Sequence, residues 1–403
     1  MEDKLFCRAP WVHMQTDPIG VYMPCCMFRE SLGEINKESW KEVWNGEKMR
    51  DFRRRIYERD MKSLQEYCGR CVEYEKWGIG SQRLFMNRFG SEEQILETAK
   101  NGFVQPEKPE FLDIRFSKKC NLACVMCGEH ASTRWETEKK KEHTGVNKAG
   151  LQNIYELMED CKDTVKIIRF AGGEPLIIDE HLKFLENLIE TGRTDLSLVY
   201  NTNLTVREYQ GKDIFEMWKK FDDVEVTVSL DAAGYANDYI RYGSRWGEVI
   251  KNLAEVLKLG KNVRVIIHPT ISILNLLRLG ELDKVMYSLD PNLLIHWGNI
   301  LSGPKPLSMY ELPDILRKHF HDHIYWMIEQ ESSFQLRERL HNIYTPILQE
   351  LETMKEPEDA KGNYLEMRDF LTELDKRRGM DLFKVNPEFV EWFKECDELY
   401  GRS

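Results

Sequence analysis

Short apolar runs and amphipathic runs alternate through the middle of the chain. Residues 111–116 alternate apolar and polar side chains, and five later runs are short, apolar or β-branched and bounded by turn residues: 165–170, 196–200, 224–230, 263–267 and 293–297. Amphipathic runs with helical spacing separate them, at 151–158, 180–190, 214–220, 246–259 and 276–286. Six strand–helix units in series predict an α/β fold, with a parallel sheet and helices on its outside.

The two flanks of this alternation follow other patterns. Residues 1–75 contain five cysteines and two short helical runs, residues 76–109 are polar and close at Pro106 and Pro109, and residues 305–403 have mostly helical spacing. We therefore predict four parts: a small cysteine-rich domain (1–75), a linker with helices (76–109), the strand–helix core (110–304) and a helical C-terminal extension (305–403). The extension is expected either to close the open side of the core or to cover a substrate.

Composition narrows the class of protein. The chain has 403 residues, of which 42% are hydrophobic, so it can bury a large core. Its net charge of −11 makes nucleic acid an unlikely main partner. The start lacks the features of a signal peptide and no apolar run reaches membrane-spanning length, so we predict a cytoplasmic protein. In a reducing compartment, the ten cysteines are better metal ligands than disulfide partners.

Three cysteines lie together just after the first predicted core strand. Cys120, Cys124 and Cys127 have the spacing Cys-x3-Cys-x2-Cys, and three thiolates can hold three irons of a cubane cluster while a fourth iron lacks a protein ligand. This motif resembles the radical S-adenosylmethionine (SAM) superfamily. The resemblance implies a [4Fe–4S] cluster whose open iron chelates SAM and reduces it to a 5'-deoxyadenosyl radical. It also implies a partial (βα)6 TIM-like barrel instead of a flat doubly wound sheet.

In a barrel, the loops after the strands form the site, and several motifs fall there. The resemblance implies that SAM is bound by residues at these strand ends and in the cysteine loop: Met126, Gly172, Gly173, Glu174, Asn201, Ser229 and Arg241. From the residues alone, other interpretations stay open. Gly-Gly-Glu-Pro is a common turn, a Met in a loop often serves packing, and Arg241 can be a surface charge.

The N-terminal cysteines suggest a second metal site. Asp17-x-x-Gly20 predicts a hairpin turn, Cys25 and Cys26 follow it, and Cys68-x-x-Cys71 predicts a tight turn. Four such thiols suit zinc as well as iron and sulfur. The order of motifs over residues 7–71 resembles the SPASM or twitch domains of radical SAM enzymes, although those domains usually follow the core. The resemblance implies an auxiliary [4Fe–4S] cluster on Cys7, Cys25, Cys68 and Cys71, with Cys26 as an alternative to Cys25.

Histidines form a weaker set of candidates. His268 and His296 lie at predicted strand ends and are possible acid–base residues, but a hydrogen-bonded structural role is the commoner one for such histidines. His319, His321 and His323 are spaced two apart on a predicted helix, so their side chains splay and a solvated face is expected.

These features together predict a radical SAM enzyme in which the auxiliary cluster transfers electrons. We expect a one-electron donor such as flavodoxin or ferredoxin, and a peptide or protein residue as substrate. The alternatives are a small metabolite such as a sugar or nucleotide, and a zinc-stabilised interaction protein without catalysis. The sequence leaves open the net reaction and the oligomeric state.

Overall fold

The computed structural model describes residues 7–28, 30–76 and 80–402. Residues 1–6 of the predicted N-terminal domain lie outside the described residues. A sheet of nine strands forms the centre of the protein, in the order β11-β10-β9-β6-β5-β4-β1-β2-β3. The strands are β1 (His13–Asp17), β2 (Val21–Met23), β3 (Gly33–Glu34), β4 (Phe111–Arg115), β5 (Ile167–Ala171), β6 (Ser197–Thr202), β9 (Asp223–Val228), β10 (Val263–Ile267) and β11 (Leu294–Ile295). A separate small hairpin pairs β7 (Glu208–Tyr209) with β8 (Lys212–Asp213).

The six predicted core strands are confirmed as β4, β5, β6, β9, β10 and β11, all parallel to their neighbours. Their order in the sheet follows their order in the chain. Each right-handed crossover therefore leads to the next strand on the same side of the previous one, and this places the crossover helices on one face of the sheet. The sheet curves around its other face, as in a partial barrel. The last predicted strand is shorter than expected, since β11 contains only two residues.

The crossover helices cover the outer face. They are α8 (Lys148–Cys161), α9 (Asp179–Glu190), α10 (Ile214–Trp218), α12 (Trp246–Val256) and α13 (Leu279–Leu289). The buried apolar residues of two shorter helices, α7 (Thr133–Glu138) and α11 (Gly234–Ile240), belong to a second hydrophobic core. On the strands, the residues facing the crossover helices are apolar and fully buried, such as Ile168, Phe170, Leu198, Val224 and Val226. Cys161 is the last residue of α8 and is fully buried.

The N-terminal segment is joined to the core through the sheet itself. The predicted hairpin forms between β1 and β2, and β1 then pairs in parallel with β4, with His13 opposite Phe111 and Gln15 opposite Asp113. Helices α1 (Ala9–Val12), α2 (Trp40–Trp44), α3 (Glu47–Glu58), α4 (Met61–Lys76), α5 (Gln82–Met86) and α6 (Glu92–Lys100) pack around this edge. Strand β1 of the hairpin therefore adds a seventh parallel strand to the barrel.

The C-terminal extension is helical, as predicted. It contains α14 (Asp314–Gln330), α15 (Phe334–Thr353), α16 (Ala360–Arg378), α17 (Leu382–Val385) and α18 (Phe389–Tyr400). These helices share a second hydrophobic core with Ala123, Val125 and Trp135 from the region of the cysteine loop. In α14, His319 and His321 contact different glutamates, Glu395 and Glu352, so the histidines do not converge. Across the described ranges, no helix is both long and apolar enough to cross a membrane.

Candidate active site

The cysteine loop follows β4 at the carboxyl end of the sheet. Backbone hydrogen bonds tie it to the segment after α11: the Ala123 amide donates to the Tyr242 carbonyl (2.9 Å), and the Val125 amide donates to the Ile240 carbonyl (2.7 Å). The indole N–H of Trp135, in α7, donates to the Cys124 carbonyl (2.8 Å). These bonds satisfy backbone groups that a buried loop would otherwise leave unpaired, so they fix the loop's shape.

All three loop cysteines line one cavity of about 730 Å³. Burial raises the pKa of the Cys120 thiol to about 12. Cys124 and Cys127 contact each other, and the hydrogen bond between their sulfurs lowers the pKa of Cys124 while it raises that of Cys127. The raised pKa values of Cys120 and Cys127 favour their protonated forms, and cluster binding must release those protons.

Gly172 and Gly173 lie in the wall of the same cavity, and the structure shows why the chain needs glycine here. Gly172 has a φ of +104°, and a Cβ on Gly173 would lie 2.2 Å from the backbone oxygen of Lys119. The Gly173 amide donates to the Ser117 carbonyl (3.1 Å), and the Glu174 amide donates to the Lys119 carbonyl (2.9 Å). The glycines thus bring the end of β5 against the chain that leads into Cys120.

Glu174 is placed differently from the prediction, because it does not line the cavity. Its carboxylate is buried and accepts hydrogen bonds from the Thr202 hydroxyl (2.7 Å), the Asn203 amide (2.7 Å) and the Leu176 amide (3.1 Å). These donors hold the carboxylate between the ends of β5 and β6. Burial raises the pKa of Glu174 to about 7, although the three hydrogen bonds oppose this shift.

Arg241 lines the cavity, and its guanidinium is ion-paired with a protein carboxylate. One terminal nitrogen donates a hydrogen bond to Asp231 Oδ1 (3.0 Å), and Nε lies 2.8 Å from Asp231 Oδ2 without hydrogen-bond geometry. The remaining nitrogen faces the Cys124 sulfur at 4.0 Å. Burial alone would lower the pKa of Arg241, but Asp231 and Cys124 outweigh it, so this pKa is raised. Arg241 therefore presents a permanent positive charge to the thiols.

The other predicted SAM-binding residues, Met126, Asn201 and Ser229, all line the cavity. The sequence analysis missed a second set of residues in this wall. Asp17, Pro18 and Ile19 come from the turn between β1 and β2, so the N-terminal hairpin reaches the same cavity. Pairing between β1 and β4 accounts for this position, and it leaves no local signal in the sequence.

Four N-terminal cysteines gather as predicted. The thiol of Cys7 interacts electrostatically with those of Cys68 and Cys71. The Cys68 thiol interacts with Cys25 and Cys71, and the Cys25 thiol interacts with Cys7 and Cys71. Burial raises the pKa of the Cys7 thiol to about 12 and that of the Cys68 thiol to about 12. The expected tight turn at Cys68 and Cys71 is wrong, because both lie within α4. Residues three apart on a helix share a face, so the helix brings the two thiols together equally well.

Cys26 faces different surroundings from Cys25. Its nearest charged neighbours are Asp113, Arg169 and Arg115, on the inner face of the barrel. Cys25, in contrast, lies among the other cysteines. This arrangement favours Cys25 over Cys26 in the four-thiol site.

The inner face of the barrel is polar, which the sequence analysis also missed. Strand register places one residue per strand in a layer: Gln15, Asp113, Arg169, Val199, Glu225 and Arg264. Five of these six are polar or charged, whereas a barrel interior without a ligand is filled by branched apolar side chains. We call this set the lumen layer. Its signal in the sequence is the polar residue at every second position of β9 and the charges Asp113 and Arg169 within the otherwise largely apolar strands β4 and β5.

A second cavity of about 600 Å³ occupies this interior and shares Arg169 and Asn201 with the cysteine-lined cavity. His268 and His296 line it with their rings 4.9 Å apart. Burial lowers the pKa of His268 to about 4, and its Nε2 lacks a hydrogen-bond partner in the described ranges. Gln82 also lines the cavity, and its backbone amide donates towards the Cys71 thiol. The interior cavity thus lies between the two groups of cysteines.

Both groups of cysteines fit iron–sulfur clusters. The thiols of each group share a cavity or a buried neighbourhood, and Arg241 offsets negative charge at the first. Among the described residues, no three His, Cys, Asp or Glu side chains are close enough to hold one metal ion. Ligands of a cubane bind separate irons and stand further apart than the ligands of a single ion.

A curved parallel sheet with a cysteine-lined cavity at its carboxyl end defines the class of protein. The family comparisons are more specific: residues 114–281 match the Radical SAM superfamily and residues 7–72 match SPASM, an iron-sulfur cluster-binding domain. Residues 114–281 therefore form a radical SAM domain and residues 7–72 a SPASM domain. The predicted cofactors, SAM and [4Fe–4S] clusters, follow from these two families.

Several relatives are named for a nucleotide reaction. A GTP 3',8-cyclase of Campylobacter lari is 26% identical over 157 residues, which are 38% of this chain and 45% of that protein. A probable GTP 3',8-cyclase of Methanothermobacter marburgensis is 31% identical over 93 residues, 23% of this chain and 28% of that protein. The similarity thus spans less than half the length of these relatives.

Solved structures give a weaker likeness. SuiB of Streptococcus suis bound to S-adenosylmethionine covers 86% of this chain and 75% of its own, with a TM-score of 0.39 and 15% identity. Native anSMEcpe with bound AdoMet and Cp18Cys peptide covers 54% of this chain and 59% of its own, with a TM-score of 0.37 and 17% identity. The family assignment rests on the sequence matches alone.

Proposed function

We propose that this enzyme removes a hydrogen atom from a small polar substrate held inside the barrel and completes its oxidation with the auxiliary cluster. The observation that carries the proposal is the polar lining of the interior cavity. Arg169 and Glu225 of the lumen layer line this cavity, together with Asn201 and Thr227. Buried polar groups are usually hydrogen-bonded, so a polar ligand is the natural occupant of this cavity.

The cofactor site is assigned to the cysteine-lined cavity. Cys120, Cys124 and Cys127 would hold the first cluster, and Met126, Gly172, Gly173, Asn201 and Ser229 would surround SAM. When bound, the cluster and SAM supply reductive cleavage of SAM and hydrogen-atom removal from an unactivated carbon. Arg241 and Asp231 form a fixed pair that keeps positive charge beside the thiolates, and Glu174 holds the β5 and β6 loops in position.

Electron transfer is the proposed role of the N-terminal site. Cys7, Cys25, Cys68 and Cys71 would fill all four positions of a second cluster, so this cluster would not bind substrate through an open iron. After one hydrogen atom has left the substrate, loss of one further electron and a proton completes a two-electron oxidation. Gln82 borders both Cys71 and the interior cavity, which favours this short route. An external one-electron donor such as flavodoxin or ferredoxin would reduce the first cluster.

The polar interior favours a small molecule over the peptide or protein residue that the sequence analysis placed first. Arg169 contributes a guanidinium where the two cavities meet, and it lies 3.8 Å from Asp113, a distance too long for a tight ion pair. A guanidinium held this loosely suits a phosphate or carboxylate of the substrate. Because relatives are named GTP 3',8-cyclases, nucleotides are the first compounds to test.

The test measures 5'-deoxyadenosine formed by the anaerobically reconstituted, reduced protein with SAM. We expect a phosphate- or carboxylate-bearing small molecule, from a panel of nucleotides, sugar phosphates and amino acids, to accelerate its formation. Arg169→Met should weaken this acceleration. Arg264→Met is the matched control, since Arg264 occupies the same layer but its side chain is 55% exposed and lies outside the cavity lining. Acceleration by short peptides and by none of the small molecules would contradict the proposed substrate class.

A further inference from the structure

One side chain of the C-terminal extension contacts two aromatic residues that support the cysteine loop. Arg378 is the last residue of α16, and its side chain is 3% exposed. Its guanidinium carbon lies 4.6 Å from the centre of the Trp135 ring and 4.4 Å from that of Tyr242. The guanidinium therefore sits between two aromatic side chains that belong to different segments of the barrel.

Each of these aromatic residues also supports the cysteine loop through a hydrogen bond. Trp135 donates its indole N–H to the carbonyl of Cys124, and Tyr242 accepts the amide of Ala123 at its own carbonyl. Arg378 thus bridges the two elements that hold the loop on either side of Cys124. Cation–π contacts of this kind are strongest when the cation is desolvated, as Arg378 is.

A bidentate ion pair fixes the position of Arg378. Its Nε and one terminal nitrogen bond the two oxygens of Glu138 at 3.1 and 3.0 Å, and Arg377 approaches the same carboxylate at 2.7 Å. Glu138 is the last residue of α7, the helix that carries Trp135. The carboxylate therefore joins the end of α16 to α7 across 240 residues of sequence. Planar, paired hydrogen bonds of this type fix orientation as well as distance.

We propose that Arg378 is a positioning residue for the SAM-binding cluster, acting through Trp135 and Tyr242 on the backbone of Cys124. The C-terminal extension lies outside both family matches. Through Arg378 it helps to set the geometry of this cluster. The inference rests on the proposed assignment of the first cluster to Cys120, Cys124 and Cys127. Partners of metal ligands that orient them without touching the metal commonly matter by 10- to 100-fold.

The first experiment uses metal-free full-length protein. Alkylation of each cysteine by iodoacetamide is followed by peptide mass spectrometry in wild type, Arg378→Ala and Trp135→Phe. We expect Cys124, which is 6% exposed in the intact loop, to react on the order of tenfold faster in both variants. Arg368→Ala is the matched control, because Arg368 stacks on Phe393 at 4.4 Å and pairs with Asp397 at 3.1 Å in the same extension. This control should leave Cys124 at the wild-type rate.

The second experiment uses reconstituted protein. Arg378→Ala should change the electron paramagnetic resonance spectrum of the reduced first cluster and lower SAM cleavage by about 10- to 100-fold, while Arg368→Ala should match wild type. If Arg378→Ala behaves like Arg368→Ala in both experiments, the proposal is wrong. Should Arg378→Ala fail to fold, Trp135→Phe decides, because it removes the indole N–H donor and keeps an aromatic ring at this position. Failure of wild type to assemble the cluster refutes the proposed function, whereas the alkylation rates still decide the role of Arg378.

Discussion

Replacement of Gln15 by methionine tests whether the buried amide of this lumen-layer residue is unpaired. Gln15 is fully buried on β1 opposite Asp113, and neither atom of its amide has a hydrogen-bond partner in the described ranges. An orphaned buried polar group costs about 1–3 kcal/mol. Gln15→Met keeps the length and shape of the side chain and removes the amide. We therefore expect the metal-free protein to become more stable by about 1–3 kcal/mol.

The size of the effect in a melting experiment follows from chain length. Unfolding entropy is about 2.1 cal/mol/K per residue, so in a chain of this size each kcal/mol corresponds to about 1 °C. Gln15→Met should raise Tm by about 1–4 °C in differential scanning fluorimetry, and urea unfolding should give the same sign.

A buried amide with its partners in place provides the control. Asn275 is fully buried, accepts the Ser272 amide at 2.8 Å, and donates to the carbonyls of Asp231 (2.8 Å) and Thr270 (3.0 Å). Asn275→Leu should lower stability by several kcal/mol, on the order of 1–3 kcal/mol for each partner left unpaired. If Gln15→Met destabilises the protein as Asn275→Leu does, Gln15 is a satisfied structural residue and the reasoning from orphaned atoms is refuted.

Three further changes have defined outcomes. The pKa of Glu174 is about 7 in the folded protein, against an ordinary 4.5, so its protonation stabilises the protein at low pH and this stabilisation is lost as pH rises through 7. Unfolding titrations should therefore show that wild type loses about 3 kcal/mol of stability relative to Glu174→Gln between pH 4.5 and 8. Parallel curves for the two proteins would contradict this pKa. Cys25→Ala should lower reconstituted iron from about eight to about four per chain while Cys26→Ala keeps about eight, and the reverse result would exchange the two roles. Gly173→Ala, whose Cβ would lie 2.2 Å from a backbone oxygen, should lower Tm, whereas Gly247→Ala meets no atom within 4 Å and should not; equal melting temperatures would show that the loops can separate.

Much of the barrel was predictable because its periodicity is local. The six core strands have short apolar runs, and strand order follows chain order, so right-handed crossovers leave one architecture. The cysteine spacing and the two glycines near residue 172 are equally local, and they fall where the resemblance placed them. The turn at Asp17-x-x-Gly20 also forms as predicted, since Gly20 adopts a φ of +99°.

What the sequence analysis missed depends on contacts between distant residues. Because β1 pairs with β4, the N-terminal hairpin becomes part of the barrel. No local sequence pattern shows that the hairpin pairs with β4 and not with the strand at the opposite edge of the sheet. Asp231 forms an ion pair with Arg241, and Arg378 binds Glu138 in α7, which lies 240 residues earlier in the chain. The helix at Cys68 and Cys71 was mistaken for a turn because a Cys-x-x-Cys spacing brings thiols together in either conformation.

The most direct test of the whole account is SAM cleavage by the isolated enzyme. Anaerobically reconstituted, dithionite-reduced wild-type protein is incubated with SAM, and 5'-deoxyadenosine and methionine are quantified by liquid chromatography and mass spectrometry. We predict that both products form in equal amounts, and that Cys124→Ala, which removes one thiolate of the proposed first cluster, forms neither. Wild-type protein that contains its iron and sulfide but releases no 5'-deoxyadenosine would contradict the assignment of radical SAM chemistry to this site.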